Sequence, residues 1–153
     1  MSDLVRSCLV DTNVLIRFAN PADPRHDISR RAIATARQAH ELRVASQNLI
    51  EAWNVMTRPL ERNGFGHSIT QADRQLHLIE RLFPRLPDPP DLYPRWRNLV
   101  VSFEVSGVQV HDARIVAVML TNAVESILTF NSQDFQRYEK LGIRILDPTR
   151  LDA

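Results

Sequence analysis

The chain contains one cysteine, one lysine, four glycines and no apolar run long enough to cross a bilayer. Each shortage excludes something. Cys8 alone cannot form an intramolecular disulfide, and in the apolar stretch Cys8-Leu9-Val10 it reads as a small core residue. The glycines form no phosphate-cradling loop, and the five histidines show no metal-ligand spacing. The N-terminus carries no signal-peptide pattern, so the expected location is the cytoplasm, with no membrane association. Net charge is +1, so no strong field of one sign advertises a partner. Of the 19 basic residues only Lys140 is lysine. Arginine's planar fork suits phosphate, which fits a nucleic-acid ligand, but genome base composition is the simpler and preferred explanation of the bias.

What is present is the composition of a globular protein, 44% hydrophobic and 24% charged. A chain of 153 residues suffices for one compact domain with a real core, and residues 1–153 are expected to form a single unit. Strands are expected at Ser7–Val10, Leu42–Ala45, Ser126–Thr129 and Leu141–Leu146. Helices are expected at Asn13–Phe18, His26–Ala39, Gln47–Thr57 with Ser46 as cap, a segment capped by Thr70, a segment around Leu92–Phe103, and Asp112–Leu120. The proline-rich residues 84–94 turn the chain, with a short extended piece near Arg85-Leu86. The glycines of Asn63-Gly64-Phe65-Gly66 permit positive φ in a loop whose tip exposes Phe65. Strands alternating with helices imply an α/β fold with a mainly parallel sheet covered on both faces.

The informative residues are acids. Asp11 follows a short apolar strand and precedes Thr12 and Asn13. It either emerges at the strand's carboxyl end, where open α/β sheets bind ligands, or caps the next helix. Glu51 falls opposite the apolar stripe Leu49, Trp53, Met56, beside Gln47 and Arg58, and so faces water or a wet cleft. Asp112 opens a nearly all-apolar helix, where either its own helix N-terminus or a metal ion would satisfy it. Asn131 and Asp134 follow the third strand, again at a carboxyl end, with Asp134 either capping a turn or joining the other acids. Oxygen ligands without cysteine or paired histidine suit a hard cation such as Mg²⁺ or Mn²⁺.

These residues resemble the PIN domain, the metal-dependent ribonuclease fold of VapC-type toxins of bacterial toxin–antitoxin pairs. The similarity runs over nearly the whole chain. It rests on the apolar-Asp11-Thr12-Asn13 start, Glu51 in the third helix, His111-Asp112-Ala113 and the ending Ile127-Leu128-Thr129-Phe130-Asn131…Asp134-Phe135. Glu51-Ala52-Trp53-Asn54 through Gly66 resembles a subgroup with a longer loop after that helix. The resemblance implies a three-layer α/β/α sandwich, with Asp11, Glu51 and Asp112 as catalytic acids and metal ligands. Thr12, Asn13 and Asn131 would support them. Asn131 stands where many relatives carry Asp, and Asp134 is the nearest carboxylate and the fourth candidate ligand. The resemblance further implies one or two Mg²⁺ or Mn²⁺ ions, hydrolysis of RNA with arginines such as Arg58 and Arg62 near the phosphates, a homodimer and a cognate antitoxin. A stand-alone RNA-processing nuclease and a non-catalytic RNA- or protein-binding PIN fold are the alternatives.

Overall fold

The computed structural model describes residues 6–151. Its sheet has four strands, β1 (Arg6–Val10), β2 (His40–Arg43), β3 (Ser126–Leu128) and β4 (Arg144–Leu146). They are all parallel, in the order β2-β1-β3-β4. Helices α1 (Thr12–Phe18), α2 (His26–Ala39), α3 (Ser46–Thr57), α4 (Ile69–Leu82), α5 (Leu92–Ser102) and α6 (Val110–Thr121) make the connections as far as β3, and 3₁₀ turns link β3 to β4.

Side chains alternate faces along a strand, and both faces of this sheet are covered. Cys8, Val10 and Leu128 face the core built with α1 to α4, while Leu9 and Ile127 face the core built with α5 and α6. That is why β1 reads as a continuous apolar run rather than an alternating one. Helix α6 buries Ala113, Ile115, Val116, Ala117, Val118 and Met119, leaving it apolar nearly all round as its sequence implied. The result is the expected α/β/α sandwich. Burial pushes the Cys8 thiol up to about 12, which makes it an inert core group. Charged residues fall on the edge strands, Glu41 on β2 and Arg144 on β4, where they blunt the exposed ladder.

Several boundaries differ from the sequence expectation. Strand β2 begins at His40 and ends at Arg43. Val44, assigned to that strand, instead forms a parallel bridge with Arg85, so the extended piece near Arg85-Leu86 exists and lies beside it. The N-cap of α3 is Ala45, not Ser46. The Asn48 side chain reaches back to accept from the Ala45 N–H at 2.8 Å, so a buried amide supplies the N3 half of a capping box while Ala45 supplies no capping side chain. The cap of α4 is Ser68, not Thr70. The Gln71 N–H donates to Ser68 Oγ at 3.1 Å, and the Ser68 N–H donates to Gln71 Oε1 at 2.9 Å. Strand β4 is only Arg144–Leu146, because Gln136–Leu141 winds into a 3₁₀ turn that ends at Gly142 in the left-handed region (φ 89°).

The loop after α3 also departs from expectation. Phe65 is not an exposed tip. It packs against the core, edge-on to His67, with their ring centroids 5.5 Å apart. Asn63 and Gly66 take the positive φ (both 62°), whereas Gly64 does not. Gly64 is needed for close approach, because a Cβ there would collide with the Arg58 carbonyl.

Candidate active site

The strand order decides where the acids meet. The chain leaves β1 for β2 on one side and later returns for β3 on the other, so a crevice opens at the carboxyl ends of β1 and β3. Val10 pairs with Leu128, which sets the next residues, Asp11 and Thr129, side by side. The Asp11 N–H donates to the Leu128 carbonyl at 3.0 Å.

Asp11 is 8% exposed and heavily hydrogen-bonded. Its Oδ1 accepts from the Thr12 N–H at 2.9 Å. Its Oδ2 accepts from Thr129 Oγ1 at 2.9 Å and from Asn13 Nδ2 at 3.2 Å. The two sequence alternatives are thus both realised, since Asp11 caps α1 and also stands at the strand's carboxyl end. Burial pushes its pKa up to about 6. The Thr129 and Thr12 hydrogen bonds oppose that rise, and the charges of Glu51 and Asp134 add to it.

Asn13 ties the two strand ends together. Its Nδ2 also donates to Thr129 Oγ1 at 3.1 Å, and its Oδ1 accepts from the Phe130 N–H at 3.0 Å. Thr129 is the hub that sequence reasoning passed over. Beyond these contacts, its hydroxyl accepts from the Asn131 N–H at 3.0 Å. Only pairing of strands 118 residues apart reveals that role. Thr12 Oγ1 accepts from Asn48 Nδ2 at 3.1 Å, which docks α3 onto this corner.

Glu51 lies on α3 with its carboxylate in the cleft. Burial raises its pKa, while a hydrogen bond from Gln47, the charge of His111, a hydrogen bond from Thr12 and the charge of Arg114 lower it. Gln47 links this group to α6, donating from Nε2 to the His111 carbonyl at 2.9 Å and accepting from Arg114 Nη1 at 3.0 Å. Arg114 is a second residue the sequence did not single out, because its place depends on how α3 packs against α6.

Asp112 lies in the first turn of α6 but does not cap it. The cap position is Gln109, and no side-chain capping bond forms. The Asp112 carboxylate accepts no hydrogen bond from the described residues. Burial, and then the charges of Asp11, Asp134 and Glu51, push it up to about 7. Asp134 ends the 3₁₀ turn Ser132–Asp134 and caps no helix. Its charge reaches both Asp11 and Asp112. Asn131 precedes that turn with its side chain exposed.

All four acids predicted from sequence therefore share one electrostatic neighbourhood. Among the described residues, no three acidic, histidine or cysteine side chains stand close enough, as placed, to grip one ion together.

The arginines are less well placed than the acids. Arg58 turns back on its own loop, with Nη2 donating to the Asn63 carbonyl at 3.3 Å. Arg62 is exposed in the 3₁₀ turn Leu60–Arg62. Two others lie closer to the strand ends. The guanidiniums of Arg17 and Arg25 sit 5.1 and 4.9 Å from the centroid of Phe130, the residue after Thr129.

The model of the PIN domain family matches residues 8–141, which include every acid described above. The chain belongs to the PIN domain family. This PIN domain shares its fold with the VapBC2 complex of Rickettsia felis bound to a promoter DNA fragment. The TM-score is 0.67 at 12% identity, over 91% of this chain and 96% of that one. It is similar to VapC20 of Mycobacterium tuberculosis, a sarcin–ricin loop cleaving toxin, with TM-score 0.65 at 21% identity over 86% and 95% of the two chains. A toxin–antitoxin complex from Klebsiella pneumoniae matches with TM-score 0.59 at 20% identity over 93% and 98%. Comparison with curated proteins found no match.

Proposed function

We propose that this PIN domain is a metal-dependent endoribonuclease and the toxin of a toxin–antitoxin pair. The observation that carries the reading is the gathering of Asp11, Glu51, Asp112 and Asp134 at the carboxyl ends of β1 and β3, with Asp112 left unpartnered. An all-oxygen donor set suits Mg²⁺ or Mn²⁺, and a cation is the group that would offset these charges. When bound, such an ion supplies Lewis acidity, lowering the pKa of water and neutralising phosphate charge.

The chain's own residues supply the rest. Asp11, Glu51 and Asp112 would hold the ion, with Asp134 as a fourth carboxylate and Asn131 offering a neutral oxygen. Thr129 and Asn13 lock the Asp11 carboxylate, and Asn48 fixes Thr12 beside it. These supports keep the donors organised at little entropic cost when the substrate arrives. Arg17 and Arg25, with Arg58 and Arg62 further out, provide positive charge for the flanking phosphates. Similarity to proteins solved as toxin–antitoxin complexes supports a protein antitoxin that covers the crevice. A homodimer, as the family resemblance implies, is part of the same proposal. The described residues include no helix long and apolar enough to cross a membrane.

The test is Asp11→Asn in purified protein supplied with Mn²⁺ and total RNA. Losing a ligand's charge should slow cleavage by at least ~10²-fold, comparable with removing one electrostatic stabiliser of a transition state. Circular dichroism should be unchanged, and near-wild-type cleavage would refute the site. RNA binding without cleavage by the wild type would favour a non-catalytic PIN fold, to which the neutral Asn131 lends some support.

A further inference from the structure

Beside the acids, between the starts of α5 and α6, runs a groove of about 600 Å³ lined by Pro89, Pro90, Tyr93, Trp96, His111 and Arg114. Its volume falls in the ~300–1,000 Å³ range of small-molecule pockets. One wall is aromatic. The Tyr93 and Trp96 rings lie 5.7 Å apart, tilted by 35°. Trp96 is pinned, because its Nε1 donates to the Val110 carbonyl at 2.8 Å. Tyr93 is 63% exposed, so its ring is open to a ligand.

The opposite wall carries an arginine and a histidine and joins the active site. His111 and Arg114 flank Asp112 on α6, and Gln47 bonds to both of them as well as to Glu51. Arg114 is only loosely paired with Asp88, at 3.9 Å. Groove and acids therefore share the first turn of α6. An RNA strand whose reacting phosphate lies over the acids must carry its neighbouring nucleotide along one side of them. On this side it meets ring faces and proline rather than a row of charges. That surface fits a base, with the arginine and histidine at the rim for its phosphate.

We infer that the Tyr93–Trp96 groove seats one unpaired base of the RNA next to the cleaved phosphate. The inference rests on the nuclease reading and adds to it a base-binding subsite built on α5. A base inside a duplex has its faces covered by its neighbours and cannot lie on the Tyr93 ring. Tyr93 is a positioning residue, since it orients the nucleotide and takes no part in the chemistry.

The experiment measures binding by fluorescence anisotropy in the Asp11→Asn background, where cleavage is suppressed. One probe is oligoadenylate, and the other is an oligomer of equal length made only of abasic ribose phosphates. Stacking on an aromatic ring contributes a roughly 5- to 150-fold affinity difference. Oligoadenylate should bind tighter than the abasic oligomer by a factor in that range. Tyr93→Ala should erase the preference while leaving abasic affinity unchanged, and Tyr93→Phe should retain it, because the ring and not the hydroxyl does the stacking. A preference that survives Tyr93→Ala, or abasic RNA bound as tightly as oligoadenylate, overturns the base site while the nuclease reading stands, and leaves the groove to a protein segment such as an antitoxin tail. Failure of both oligomers to bind overturns the base site and the RNA reading together.

Discussion

Asp112→Asn is expected to stabilise the metal-free protein at alkaline pH and to do nothing at pH 4. The carboxyl ordinarily titrates near 3.8 and is pushed up to about 7 by burial and by its acidic neighbours. The fold therefore binds this proton more tightly than the unfolded chain does. Stability falls as pH rises from about 4 to 7 and stays low above it. Taken at face value, the difference is ~4 kcal/mol. Because the side chain is only half-buried, solvent screening reduces this to ~2 kcal/mol. Asparagine keeps the shape and cannot ionise, and no hydrogen bond or cap is lost with the carboxylate. At ~2–4 °C per kcal/mol for a chain of this size, the variant should melt ~4–8 °C above the wild type at pH 8. The assay is a series of thermal melts in EDTA from pH 4 to 8.5, read as the difference between the two proteins so that other titrations cancel. Excess Mn²⁺ should reverse the order, because a ligand that binds only the folded state stabilises it in proportion to its affinity. A gap independent of pH, or a variant that melts lower at pH 8, would refute the view that Asp112 is an uncompensated charge awaiting a cation.

Calorimetric titration with Mn²⁺ should show weaker binding for Asp134→Ala and tighter binding for Asn131→Asp, since the first removes and the second adds a charge at the crevice. Unchanged affinity in both would take the loop after β3 out of the metal site. Gly64→Ala should lower the urea midpoint by an amount equivalent to ~1–3 kcal/mol, typical of forcing an atom into occupied space, because its Cβ meets the Arg58 carbonyl. An unaltered midpoint would mean that the loop shifts freely.

Much of the fold was legible because it rests on local pattern. The apolar run before Asp11, the helical spacing of Leu49, Trp53 and Met56, and the all-round apolarity of α6 each reflect which faces are buried. Asp11, Asp112 and Asp134 could be picked out because a carboxylate just after an apolar strand, or in the first turn of a buried helix, demands an explanation, whereas Glu51, mid-helix and opposite its apolar stripe, was marked out by the family resemblance. Caps and boundaries were less legible. Asn48 reaches back to hold the Ala45 N–H, and the Val44–Arg85 bridge draws Val44 away from β2. Neither follows from spacing along the chain.

Sequence alone determined the alternation of strand and helix, the lack of any cysteine or histidine metal-ligand spacing, and the candidate acids, because burial pattern and residue chemistry are local properties. Tertiary structure decided which acids are hydrogen-bonded and which stand uncompensated, because that depends on partners more than 100 residues away, as Thr129 is from Asp11. It alone brought Tyr93, Trp96 and Arg114 to the edge of the crevice, since a groove is a property of two packed helices and of neither sequence by itself.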